Sequence, residues 1–175
     1  MNRIAKLVVL LIAMAVLTAG CNKVPTEARK RSYVDAENRF AFDVPSDWAK
    51  RENFMGSKVA FLSPTMVDGF SPNINVVVVQ AAANNIESLL EVERKQLSQL
   101  NGYKELRSRI IDHPAGCKAV SIVYEHSMLA KPLRVVYCSF LVRGHEYGLS
   151  ATMPADAADQ WAEPMQKIVD SFIAW

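Results

Sequence analysis

The chain has 175 residues, 50% of them apolar and 22% charged, with seven glycines and eight prolines. That length and balance suit one globular domain and exclude a disordered chain, a collagen-like repeat and a multi-domain enzyme. The formal charge of +2 comes from Arg3 and Lys6 in an opening stretch without Asp or Glu, which leaves eighteen basic against eighteen acidic side chains and no concentrated cationic surface for nucleic acid.

Met1 to Lys6 is positively charged, Leu7 to Leu17 is an uncharged apolar run, and Thr18-Ala19-Gly20-Cys21 ends it. Such a run is shorter than the roughly 20 residues a spanning helix needs, and the order of charge, apolar core and small residues is that of an export signal. Cys21, directly after two small residues, is placed to carry a thioether-linked diacylglycerol, and Thr18 to Cys21 resembles the lipobox of bacterial lipoproteins. This reading divides the chain into a signal peptide (1–20), a lipidated start with a flexible tether (21–32) and a globular domain (33–175). Two or three acyl chains make membrane attachment effectively permanent. Asn22, in place of an Asp that would resemble an inner-membrane retention signal, favours the periplasmic face of the outer membrane. The tether is polar and carries Arg29-Lys30-Arg31, which could rest on anionic headgroups.

Within the domain, Arg39 to Val44 reads as a strand closed by Pro45-Ser46-Asp47-Trp48, and Val59 to Ser63 as another stopped at Pro64. The valine-rich run Ile74 to Gln80 reads as a strand buried on both faces. Asn85 caps a helix whose stripe is Ile86, Leu90, Leu97 and Leu100, interrupted by Glu93, and Asn101-Gly102 stops it. Strands follow at Tyr103 to Ile111, Cys117 to Tyr124, Leu133 to Val142 and Tyr147 to Met153, joined by short breaks that favour antiparallel hairpins. A last helical pattern through Trp161, Met165, Ile168 and Phe172 contains Pro164, which predicts two pieces divided there. The sum is an α+β domain, about seven mainly antiparallel strands with helices packed on the sheet.

Phe40-Ala41-Phe42 followed by Pro45-Ser46-Asp47-Trp48, the strand end Phe61-Leu62-Ser63-Pro64 and the terminal Ile168-Val169-Asp170-Ser171-Phe172 resemble, in that order, the PsbP-like superfamily, and within it bacterial envelope proteins of the DcrB type. The resemblance implies an α/β/α sandwich around an antiparallel sheet. It also implies a binding or accessory role, with no catalytic residues to transfer and the quoted residues serving as core and turn positions.

Chemistry-bearing residues are sparse. Cys117 and Cys138 could form a disulfide in an oxidising compartment or remain free, since hairpin counting sets Cys117 opposite a position near 141. His126 and His145 lie at opposite strand ends and cannot share an ion, whereas His113, with Asp112 and Cys117, could approach His145 and Glu146 at one sheet end. Zinc-type spacings, a nucleophile elbow and a phosphate loop are missing, and Ser121, Ser139 and Ser150 fall within strands. Trp48, Trp161 and Trp175 read as core closures. The loop between Met55 and Met66 brings Phe54 and Phe70 forward as a partner surface if they are exposed. The expectation is a non-enzymatic envelope lipoprotein needing no cofactor, attached to the membrane at Cys21 and meeting an envelope protein rather than nucleic acid. A thiol- or metal-dependent periplasmic enzyme and a small-ligand carrier stand as alternatives.

Overall fold

A computed structural model describes residues 24–128 and 131–175. The export segment, Cys21, Asn22 and the turn expected at Leu129 lie outside the described residues. The elements in chain order are α1 (Thr26–Arg29), β1 (Tyr33–Asp35), β2 (Phe40–Phe42), β3 (Ala49–Glu52), β4 (Val59–Leu62), β5 (Asn73–Gln80) and α2 (Ile86–Leu97). They continue with β6 (Lys104–His113), β7 (Cys117–Met128), β8 (Lys131–Val142), β9 (His145–Pro154), a 3-10 turn at Ala155–Ala157, α3 (Ala158–Asp170) and β10 (Ile173–Ala174).

The strands form a seven-stranded antiparallel sheet in the order β3-β4-β5-β9-β8-β7-β6 and a small sheet β1-β2-β10. One face of the large sheet presents Phe61, Ile74, Val76, Ala151, Leu149, Val136, Cys138 and Phe140, and the small sheet and α3 close over it. Between the layers, Phe172 stacks on Phe40 at 5.8 Å and on Phe140 at 5.0 Å. The other face presents Val120, Ile122, Tyr124, Val135 and Tyr137 to α2. This is the expected sandwich, with one difference of membership. The strand read at Phe40 belongs to the small sheet, and the seventh large-sheet strand is β3, whose four exposed residues give no alternating pattern.

Local chemistry explains the helices. The Asn85 side chain accepts from the Ser88 amide at 2.8 Å, and Ser88 answers the Asn85 amide, closing a capping box. The buried centre of α2 is Leu89 with Glu93, flanked by partly buried Ile86, Leu90 and Leu97, so the stripe is rotated from the one the leucines suggested. After α2 the chain turns at Gly102, whose φ is +66° and where a Cβ would meet Ser127 Oγ at 2.7 Å. The break expected at Pro164 does not occur: α3 runs unbroken through it. Pro164 and Gln160, the residue whose carbonyl it leaves unpaired, are both exposed, so water can satisfy that carbonyl and the ring meets no core.

The stretch read as a tether is partly folded. α1 packs on β2 and buries Ala28. The Arg31 guanidinium pairs with Asp43 at 2.8 Å, Lys30 pairs with Glu27, and Arg29 donates to the Val24 carbonyl. Each of the three cations therefore has a partner within the protein, a carboxylate for Lys30 and Arg31 and a neutral carbonyl for Arg29.

Candidate functional site

The thiols do not form a site. Cys117 pairs in register with His113, and Cys138 pairs with Ser121, four residues along β7. At about 3.3 Å per residue that offset exceeds the ~7 Å Cα separation a bridge allows. Both cysteines are free, Cys117 exposed and Cys138 buried. Burial, with Cys117 and Asp170 nearby, pushes the Cys138 thiol up to about 12, far from a reactive thiolate. Iodoacetamide is expected to alkylate Cys117 in the folded protein and Cys138 only in denaturant, as read by peptide mass mapping. Equal labelling of both without denaturant would contradict this packing.

The histidines stay apart. His113 and His145 lie at the same end of the sheet but on β6 and β9, three strand spacings or about 14 Å apart. His113 is buried, with Nε2 at 3.1 Å from the Val169 carbonyl and Nδ1 accepting from the Ala115 amide, which fixes the tautomer protonated on Nε2. Its ring stands edge-on to Phe140, and burial lowers its pKa. Among the described residues no group of three or more His, Cys, Asp or Glu could hold a metal ion.

Sequence reasoning missed a buried carboxyl. Glu93 on α2 is 4% exposed and faces Glu146 on β9 and Tyr137 on β8. Burial raises its pKa first, the hydrogen bond and charge of Glu146 raise it further and Tyr137 opposes, leaving it at about 8. This arrangement couples the helix to the sheet. It has no opening to substrate in the cleft described next.

That cleft, of about 430 Å³, lies on the sheet face that α2 leaves uncovered. Its floor is built from one side of adjacent strands: Ala60 and Leu62 on β4, Asn73, Asn75 and Val77 on β5, and Thr152 on β9. The strand read as buried on both sides is thus buried on one, through Ile74 and Val76, and its other side faces the cleft. Phe54 and Met55 from the β3–β4 turn form one wall; Phe70, Leu133, Met128 and His126 form the other. The two walls differ in support. Ser57 Oγ donates to the Phe54 carbonyl at 2.6 Å, while Lys131 Nζ reaches across to the Asp68 carbonyl and ties the loop before Phe70 to β8. Phe54 is 43% exposed and Met55 86%, so the apolar surface suspected around these residues exists and is concave. Trp48 and Trp161 are partly buried against the core, with ring centroids 6.2 Å apart.

A family model described as PsbP matches residues 28–174. No curated protein matches the chain by sequence. Among solved structures, the cyanobacterial PsbP of Synechocystis is similar at 13% identity with a TM-score of 0.61, covering 82% of this chain and 91% of that one. LpqN of Mycobacterium tuberculosis, described as involved in cell envelope biogenesis, is similar at 14% identity and TM-score 0.61, over 81% of this chain and 86% of its own. The Ran-binding protein Mog1p of Saccharomyces cerevisiae reaches 10% identity and TM-score 0.52, over 78% and 90%. At such identities these likenesses establish the fold alone.

Proposed function

The chain belongs to the PsbP family, and from that premise we propose that it is a non-enzymatic accessory module of the bacterial envelope, lipid-anchored through Cys21 at the periplasmic face of the outer membrane. The observation that carries the binding role is the cleft. Its walls are apolar and open to solvent, and of the described residues lining it His126 alone has an ionisable side chain. A nucleophile with a base would need a hydroxyl in reach of His126; the Ser57 hydroxyl is bonded to the Phe54 carbonyl instead, and Thr152 on β9 is separated from His126 on β7 by the intervening β8. The lining therefore suits holding a partner or ligand more than transforming one.

The anchor reading is supported by the sequence order from Arg3 to Cys21. It agrees in kind with LpqN, a neighbour in fold described as involved in envelope biogenesis. An anchor raises the module's effective concentration beside other envelope components, so modest contacts at the cleft suffice. The test is Cys21→Ser. The unaltered protein is expected to sediment with outer-membrane fractions and to carry a diacylglycerol adduct by intact mass, and the variant to appear in the soluble fraction with its thermal unfolding unchanged. An unmodified Cys21, or a variant that still sediments with membranes, would defeat the reading.

A further inference from the structure

We infer that the cleft above β4, β5 and β9 is a binding site for a small uncharged amphiphile, its hydroxyl or amide on the sheet floor and its hydrocarbon body between Phe54, Met55 and Phe70. The inference rests on the proposed binding role of this cleft and adds the chemical class of its ligand.

Its volume of about 430 Å³ falls within the range of roughly 300–1,000 Å³ typical of small-molecule sites. No Lys, Arg, Asp or Glu is among the described lining residues, and the Lys131 ammonium beside the Phe70 loop is held on the Asp68 carbonyl, so a ligand charge placed inside would meet no ionised group of the lining. His126 does not supply one, because burial lowers its pKa and keeps the ring neutral at pH 7. The floor does offer hydrogen bonds. Asn73 Nδ2 donates to the Ser71 carbonyl at 3.0 Å, while among the described residues the side chains of Asn75 and Thr152 have no hydrogen-bond partner. Apolar walls with a few unengaged amide and hydroxyl groups are the complement of an alcohol or amide with a hydrocarbon body.

The β3–β4 turn provides an independent sign. Met55 (φ +50°) and Gly56 (φ +85°) are the two central residues of a tight turn closed by the Ser57 amide on the Phe54 carbonyl at 3.0 Å. Two consecutive positive φ values define the hairpin turn that favours Asn, Asp or Gly at its first centre. The other such turns show the usual or a charged choice there, Asp68-Gly69 and Arg143-Gly144. Here the position holds methionine, a side chain disfavoured in the left-handed region and left 86% exposed at the rim of an apolar cleft. Local rules are broken most often where a site needs the residue for another purpose, and flexible methionine is suited to adapt to a hydrocarbon.

The turn also supplies the test, because Met55→Asn puts a better turn former in place while deleting the apolar wall. The full chain as purified from cells is irradiated with 3-azioctanol, an uncharged eight-carbon alkanol bearing a diazirine, and adducts are mapped by mass spectrometry. Saturable labelling within residues 54–62 and 70–77, displaced by 1-octanol at concentrations at least tenfold below those of octanoate, is the expected result. Met55→Asn should cut that labelling at least fivefold with no loss of thermal stability. Ala60→Leu, which extends a buried floor residue into the open volume, should do the same. Labelling that does not saturate, lies elsewhere, or survives both substitutions overturns the site, and equal displacement by octanoate overturns the ligand class. Either failure leaves the Cys21→Ser fractionation result untouched, so loss of this inference and loss of the anchored-module reading are separable.

Discussion

Phe172→Ala is expected to lower the unfolding free energy by about 3–5 kcal/mol, the range for truncating a fully buried aromatic. Phe172 leaves α3 and enters the space between the two sheets, where its ring lies 5.8 Å from Phe40, 5.0 Å from Phe140, 6.3 Å from Phe42 and 6.2 Å from Tyr147. These partners come from β2, β8 and β9, so one ring joins the small sheet, the large sheet and the C-terminal helix. The cavity left by alanine cannot close without moving two sheets toward each other, and interiors resist that. Urea unfolding of Phe172→Ala beside Phe54→Ala is the check. Phe54 is 43% exposed on the cleft wall and its truncation should cost less than about 1 kcal/mol. Similar losses from the two would mean that the layers are not held together at Phe172.

The elements that could be read from the sequence are those whose burial follows one simple period. β4 through β9 have alternating or continuous apolar runs, and each formed close to its expected place, as did the capped start of α2; β7 runs four residues further than expected, to Met128, because no Pro, Gly or Asn stops it at Tyr124. The elements that escaped are short or exposed. β3 reads Ala-Lys-Arg-Glu and is an edge strand held by backbone pairing to β4, so its side chains carry no record of it. β10 is two residues, defined by pairing with β2 across more than 130 positions of sequence. Pro164 misled because propensity is local, whereas the solvent on that side of α3 that tolerates the proline is a property of the assembled fold.

For the site, composition located the right loop and periodicity missed its meaning. The apolar residues Phe54, Met55 and Phe70 stand out in a polar neighbourhood, which is why a partner surface was suspected there. The floor was invisible because a run of four valines in β5 looks the same whether one or both faces are covered. Only the position of α2 over β6 and β7, with Leu89 buried beneath it and Glu93 reaching Tyr137 on β8 and Glu146 on β9, shows that Val77 and the asparagines before it face an open cleft. Glu93 itself was read as a defect in an apolar stripe. A carboxyl at the centre of such a stripe is tolerated when it is protonated, and that condition is a three-dimensional one, met first by burial under α2 and then by Glu146 arriving from β9.

That proton makes stability fall as pH rises through neutrality. The Glu93 carboxyl has a folded pKa of about 8 against 4.5 for the ordinary group, so between these values the folded state binds a proton that the unfolded state has released. Since the slope of unfolding free energy follows protons bound in the unfolded minus the folded state, it is negative there, about 1.4 kcal/mol per pH unit at most. His113 and His126 act in the opposite sense. Burial lowers both, the unfolded chain binds their protons more readily, and stability gained from them with rising pH is complete once their ordinary value of 6.5 is passed. Between pH 6.5 and 8 Glu93 therefore acts without that opposition, and the groups facing it, Glu146, Tyr137 and Tyr124, are acids that add no compensating positive charge. Over that interval the protein should lose about 2 kcal/mol. Glu93→Gln keeps the shape and offers an amide donor to the Glu146 carboxylate, so its stability should be nearly flat over the same interval and exceed that of the unaltered protein at pH 8. Urea midpoints at half-unit pH steps decide the matter. A Gln variant that loses stability with pH as steeply as the parent would show that the helix–sheet contact holds no shared proton, and that α2 is kept over β6 and β7, and away from the cleft, by Leu89 and its apolar neighbours alone.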